Sequence, residues 1–271
     1  MRQLLDVMRV VVRFRALIRE LAFRDVSDRY LDHALGGAWA VVSPLLVLAV
    51  YVYLFTSVFP ARLGADDPGL GGVIWILCGL VTWFFVTDVM GRAVGAVSNA
   101  SNLVKRVVFP VEIIPMQTTV VALPGFLIGL TVIVGLQALH DPFVLMGTVW
   151  LLPLALAIVA AVVIGLAYGL AALGPFLRDL REIVQFVSMI GMFLAPVLYL
   201  PTVVDSLNPL LAALLDANPF THVLACVRDA LVHGRLTQPA SWLIAVLFGA
   251  VSLIAGVTVY ERVKPHFAEA L

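Results

Sequence analysis

Six apolar runs, each about as long as a bilayer is thick, divide this chain. They cover residues 39–59, 72–97, 111–139, 143–173, 183–200 and 240–260. A helix needs about 20 residues to cross the roughly 30 Å hydrocarbon core. Lipid offers no hydrogen bonds to the backbone, so an open-ended span must be helical. The expected fold class is an all-α integral membrane protein with six transmembrane helices. The fourth run is long enough to tilt or to project from the membrane. Residues 1–38 form a cytoplasmic or interfacial helical segment, and residues 39–271 form the membrane domain.

Composition agrees. The chain is 62% hydrophobic and 13% charged, whereas a soluble domain carries about 25% charged residues. The formal net charge is zero, which gives no support to nucleic-acid binding. Cys78 and Cys226 are the only cysteines. They form no CxxC or Cys/His spacing, so they read as apolar fillers, with neither a disulfide framework nor a metal site. The first apolar run follows an arginine-rich stretch far longer than a signal peptide's charged region. Insertion through the chain's own spans is therefore expected.

Charge sets the orientation. With the N-terminus inside, seven arginines precede the first span, and Lys105, Arg106, Arg178, Arg181, Arg262 and Lys264 are also inside. The outside segments keep only Arg62, Arg228 and Arg235. This satisfies the positive-inside rule and predicts that both termini are cytoplasmic.

Turn signals fall between spans at Asp67-Pro68-Gly69, Asp141-Pro142 and Gly174-Pro175. Pro44, Pro124, Pro153 and Pro196 fall inside apolar runs, where they are expected to mark kinks. Before the first span, Val7, Val10, Val11, Phe14, Leu17, Ile18 and Leu21 share one helix face. Phe23, Val26, Tyr30, Leu31 and Ala34 make a second stripe, with Arg24–Asp28 and Asp25–Arg29 on its polar side. An apolar stripe with a charged back suits the membrane interface; packing on a soluble partner is the other reading. Residues 201–239 hold LLAALLDA and FTHVLACVRDALVHG between prolines. Both pieces are too short to span, so two short extracytoplasmic helices are expected there.

Two short inside segments carry charge. One is residues 99–110, leading into LVKRVVFPVEIIP; the other is GPFLRDLRE, with Arg178, Asp179, Arg181 and Glu182. Each is either a solvated face or a docking surface, and the residues alone leave both open. Asp88 and Arg92 lie one helical turn apart in the second run. An ion pair there is either structural or in contact with substrate. Glu112 opens the third run, where a carboxylate suits the positive end of the helix dipole. No G-x-x-x-x-G-K-[ST], G-x-S-x-G or H-E-x-x-H occurs. These absences give no support to a P-loop ATPase, a serine hydrolase of that type or a zinc protease.

These features together resemble the permease subunits of ABC-2-type polysaccharide exporters, which move O-antigen, teichoic acid and related glycans. The resemblance covers nearly the whole chain. Its most specific stretches are RELAFRDVSDRYLDHALGGAWAVVSPLL and NLVKRVVFPVEIIP. The first departs from the family pattern at His33-Ala34, where the family has a small residue before Leu-Gly. The resemblance implies a homodimer in a bacterial cytoplasmic (inner) membrane, paired with two copies of a separate ATPase that binds ATP and magnesium. No cofactor is implied for this chain itself. Asn102, Lys105, Arg106, Phe109 and Pro110 would couple to the ATPase, with Arg178, Asp179, Arg181 and Glu182 near a second contact. Arg24, Arg29 and His33 would meet the diphosphate of a polyprenyl-diphosphate-linked glycan. Tyr51, Tyr53, Trp83 and Phe84 are the candidate liners of a glycan path. An ABC-2 permease for another lipid or drug, or a capsule polysaccharide exporter, is the alternative.

Overall fold

A computed structural model describes residues 2–31, 36–58, 70–101, 110–199 and 209–270. All regular structure among the described residues is helical. Two amphipathic helices lead, α1 (Arg2–Arg13) and α2 (Arg15–Leu31). The expected stripe is the reason for their placement: Val7 and Ile18 are buried, while Arg9 and Arg24 stay exposed beside Asp6 and Asp28. A single helical turn at Gly36–Ala38 leads into α3 (Trp39–Tyr53), which runs on as a π-helical turn over Leu54–Val58.

The remaining helices are α4 (Leu70–Asn99), α5 (Ile113–His140), α6 (Val144–Leu173), α7 (Leu180–Leu194), α8 (Pro209–Ala217), α9 (Pro219–Arg228), α10 (Pro239–Val263) and α11 (Phe267–Ala270). Five helical stretches are long and apolar enough to cross a membrane: those built on α3, α4, α5, α6 and α10. The chain is an all-α integral membrane protein.

The fifth expected span differs. Residues 183–200 do not form one helix; α7 has 15 residues, about 22 Å at the usual rise. Proline clashes with a helical residue before it. Ala195, preceding Pro196, accordingly sits at φ −103°, ψ 142° and ends the helix. Hydropathy missed this because the apolar run continues past Pro196. Pro44, Pro124 and Pro153 do lie inside helices, as expected.

The π-helical turn Asp229–His233 extends α9 to Gly234, whose φ of 62° needs a glycine. The corner between α8 and α9 is deep, because Phe220 packs edge-on against Trp83 of α4 and Phe248 of α10, each well inside its helix. Thus α8 and α9 make the expected pair of short helices, folded as a hairpin that enters the membrane domain. Asn218 closes its corner: its side chain accepts from Phe220 N (3.0 Å) and donates to Leu194 O (2.9 Å).

Helix α4 is the most enclosed span and α3 the least. The most extensive seam joins α6 to α10, where small residues let the backbones meet. A Cβ on Gly165 would stand 2.3 Å from the Ser252 carbonyl carbon, and one on Gly256 would stand 1.9 Å from Gly165 O. Ser252 donates to Val162 O across the same seam (3.0 Å). Gly165→Leu is expected to separate the two helices and abolish monodisperse protein after detergent extraction. Gly169→Ala, whose Cβ would meet its nearest neighbour at 3.7 Å, is expected to stay within about 0.5 kcal/mol of the parent. Size-exclusion profiles and melting temperatures in detergent check both.

Candidate functional site

Three adjoining clefts run along one face of α4. The innermost, about 210 Å³, is apolar, between Val81, Phe84 and Phe85 of α4, Val47 and Leu48 of α3, and Gly129 of α5. The second, about 220 Å³, shares Pro44, Asp88, Ala122 and Gly125 with the first and adds Val26 of α2 and Arg92. The third, about 370 Å³, shares Arg92 and is polar, with Asp25 of α2, Asn99 of α4, and Gln117 and Thr118 of α5. The clefts therefore grade from apolar, at the middle of α4, to polar at its C-terminal end. Asp88 and Arg92 sit at the change. Arg92 Nε donates to Asp88 Oδ1 at 2.9 Å, and both side chains are partly exposed to the cleft. The sequence located this pair; only the fold shows that its two residues wall a continuous groove.

The other expected site residues are dispersed. Arg24 is exposed and pairs with Asp28 at 3.6 Å, away from the cleft walls. His33 lies outside the described residues, as does the side chain of Arg29. Phe84 lines the innermost cleft and packs on Tyr51, with ring centroids 5.9 Å apart. Tyr53 is exposed. Trp83 is buried: its indole N–H donates to Ser188 O (3.1 Å), and its ring is enclosed by α4, α7 and α9.

Of the expected coupling residues, Asn102, Lys105, Arg106 and Phe109 lie outside the described residues. Pro110 does not, and just beyond it the chain is fastened. The hydroxyls of Tyr260 and Tyr168 donate to the carbonyls of Val111 and Glu112, each at 2.7 Å. Lys264 pairs with the Glu112 carboxylate. Glu112 thus bonds the end of α10 and makes no side-chain cap of α5, a tertiary role that the dipole reading did not contain. Arg178, Asp179, Arg181 and Glu182 are all exposed at the turn between α6 and α7.

Sequence reading missed a second polar cluster at the opposite end of α4. Arg228, counted only as an outside cation, is 4% exposed. It donates from Nε to Trp75 O (3.3 Å) and from Nη2 to Pro196 O (2.6 Å) and Val197 O (3.3 Å). Its guanidinium lies 3.2 Å from the centre of the Trp75 ring. A Cβ on Gly79 would stand 2.6 Å from Arg228 Nη2, so this approach requires glycine. Asp229 is also buried and accepts from Trp242 Nε1 (2.8 Å), Thr237 N (3.0 Å) and the Thr237 hydroxyl. The available signal was an Arg-Asp pair inside an apolar segment at membrane depth. Among the described residues, no group of acids, histidines and cysteines could hold a metal.

The chain belongs to the ABC-2 type transporter family, which matches residues 16–232. Over 270 residues it is 27% identical to the O-antigen export system permease protein RfbA of Myxococcus xanthus, covering 99% of this chain and 100% of the relative. It is 25% identical to an RfbA of Klebsiella pneumoniae over 251 residues, covering 92% of each. The polysialic acid transport protein KpsM of Escherichia coli is 20% identical over 249 residues, covering 91% of this chain and 93% of the relative.

Arg228→Met leaves the Pro196 and Val197 carbonyls without their donor, and is expected to cost about 1–3 kcal/mol and to lower the melting temperature in detergent. His233 stands near Asp229 (4.0 Å). Burial holds its imidazole below the ordinary range, reinforced by Arg235 and Arg228, against the pull of the Asp229 carboxylate. The fold therefore favours the neutral ring. Stability is expected to be full above about pH 6.5 and to decline as pH falls below it. Melting curves at about pH 5.5 and 7.5 should show this loss for the parent and a smaller one for His233→Gln.

Proposed function

We propose that this chain is the membrane subunit of an ATP-driven exporter that moves a polyprenyl-diphosphate-linked polysaccharide across the bacterial cytoplasmic membrane. The observation that carries the reading is the graded cleft along α4. A polyprenyl chain needs an apolar slot, and a diphosphate needs a cation at the polar boundary. Arg92 meets the second need more directly than Arg24, since it walls two of the clefts. A guanidinium can release Asp88 and take a phosphate in two hydrogen bonds. Arg29 and His33, at the end of α2 and just beyond it, complete the entry. Full-length similarity to O-antigen export permeases supports a glycan as cargo.

The chain works as a homodimer with two copies of a cytoplasmic ATPase, with both of its own termini on the cytoplasmic side. Residues 99–110, with Lys105 and Arg106, dock on the ATPase, and Arg178, Asp179, Arg181 and Glu182 lie near a second contact. The tyrosine and lysine fastenings at Val111 and Glu112 carry movement of the docked segment to α6 and α10. Phe84, Tyr51 and Tyr53 remain the candidate liners of the glycan path, whereas Trp83 is enclosed within the protomer. The KpsM similarity favours capsule polysaccharide as the second reading.

Export of surface polysaccharide by cells relying on this chain tests the proposal. Arg92→Gln is expected to reduce export about tenfold or more, the loss of one charge-assisted phosphate contact, with unchanged amounts of inserted protein. Replacing Lys105 and Arg106 by alanine is expected to leave insertion intact and to abolish stimulation of the co-purified ATPase. Transport by the purified chain alone, without ATP, would contradict the reading, and so would ATP-driven export of a drug or simple lipid in place of glycan.

A further inference from the structure

Beneath the α8–α9 hairpin lies a cavity of about 500 Å³, separate from the α4 clefts. It falls in the range of about 300–1,000 Å³ typical of small-molecule sites. Its walls include Trp75, Asp216, Thr221, His222, Arg228 and Gln238. Polar groups in a cavity at the edge of a membrane domain need water or a hydrogen-bonding ligand.

Much of the lining is already committed. Asp229 is spent on Trp242 and Thr237, and Arg228 on three backbone carbonyls. The ring nitrogens of His222 lie 3.0 Å from Ser241 Oγ and 2.9 Å from the Asp216 carbonyl. These groups make a rigid frame. Others remain available. The Thr221 hydroxyl is buried and has no hydrogen-bond partner. The Gln238 amide lies 3.0 Å from Ser241 Oγ at one end and keeps its other end for a ligand. Asp216 is exposed at the cavity, where its carboxylate can accept.

One hydroxyl, one amide and one carboxylate suit a ligand whose groups both donate and accept. A sugar's hydroxyls do both. A phosphate would bring its charge against Asp216 and Asp229, with Arg228 already engaged. We infer that this cavity binds a saccharide unit of the exported glycan on the extracytoplasmic side, held by Thr221, Gln238 and Asp216. The inference rests on the export reading above and adds a second glycan contact, away from the entry cleft.

The test uses the full chain in cells that depend on it for surface polysaccharide. Thr221→p-benzoylphenylalanine, or in a second variant Gln238→p-benzoylphenylalanine, places a photo-crosslinker in the cavity, and Leu247→p-benzoylphenylalanine places one on an exposed face of α10. After irradiation, the chain is purified under denaturing conditions and stained for carbohydrate. Carbohydrate-bearing adducts are expected at 221 and 238, at least about tenfold above those at 247. In the 221 variant, Gln238→Ala is expected to reduce the adduct by up to about tenfold, as the loss of one hydrogen bond implies. Export that continues with no carbohydrate adduct at either cavity position, or with adducts only to lipid, overturns the saccharide site and leaves the export reading standing. Absence of surface polysaccharide with the unaltered chain overturns both.

Discussion

Hydrocarbon supplies no hydrogen bonds, so each break in a helix at membrane depth needs a donor or acceptor from the protein. Arg228 meets that need where α7 stops. It donates to the carbonyls of Pro196 and Val197 in the broken segment and to Trp75 in α4. The short helix α7, the inward hairpin and the cavity beneath it all depend on this junction. Asn218 repeats the solution at the hairpin corner, bonding α9 with its oxygen and α7 with its nitrogen. Such a junction holds three elements with two side chains. It also explains Gly79, since any Cβ there would displace the guanidinium.

The two ends of the molecule are built differently. At the end bearing Asn99 and Pro110, the chain carries charged, exposed turns and a fastening of tyrosine hydroxyls on the carbonyls of Val111 and Glu112. Those bonds join the chain just before α5 to α6 and α10, which are themselves locked by the glycine seam. A push on residues 99–110 would therefore reach a rigid pair of helices. At the other end, buried ionic groups frame a cavity. Between them the α4 clefts pass from polar to apolar. The weakly covered face of α3 stands beside this groove.

Much of the architecture was legible in sequence because it follows from one-dimensional rules. Run length gave five of the six expected spans, and the i, i+3, i+4 stripe gave α1 and α2. The turn signals and prolines marked the two short helices α8 and α9. The Asp88–Arg92 pair was found from helical spacing alone, as the 2.9 Å contact shows. The fifth span failed for a definite reason. Hydropathy averages over residues and does not register that Pro196 removes Ala195 from the helix. The burial of Trp83 between helices was not legible, because an aromatic in a span looks the same whether it faces lipid, a path or a neighbouring helix.

By itself, the sequence determined the class of solvent, the helical content and the local ion pair. These depend on composition and short-range spacing, which any chain position carries with it. Only the tertiary structure decided that Arg228 is a buried staple, that Glu112 bonds Lys264, and that Arg92 walls a continuous groove. Each of those depends on partners far away in the chain: 153 positions separate Arg228 from Trp75 and 152 separate Lys264 from Glu112. Periodicity specifies which face of a helix is apolar. It does not specify which other helix that face will meet, and the functional geometry resides in those meetings.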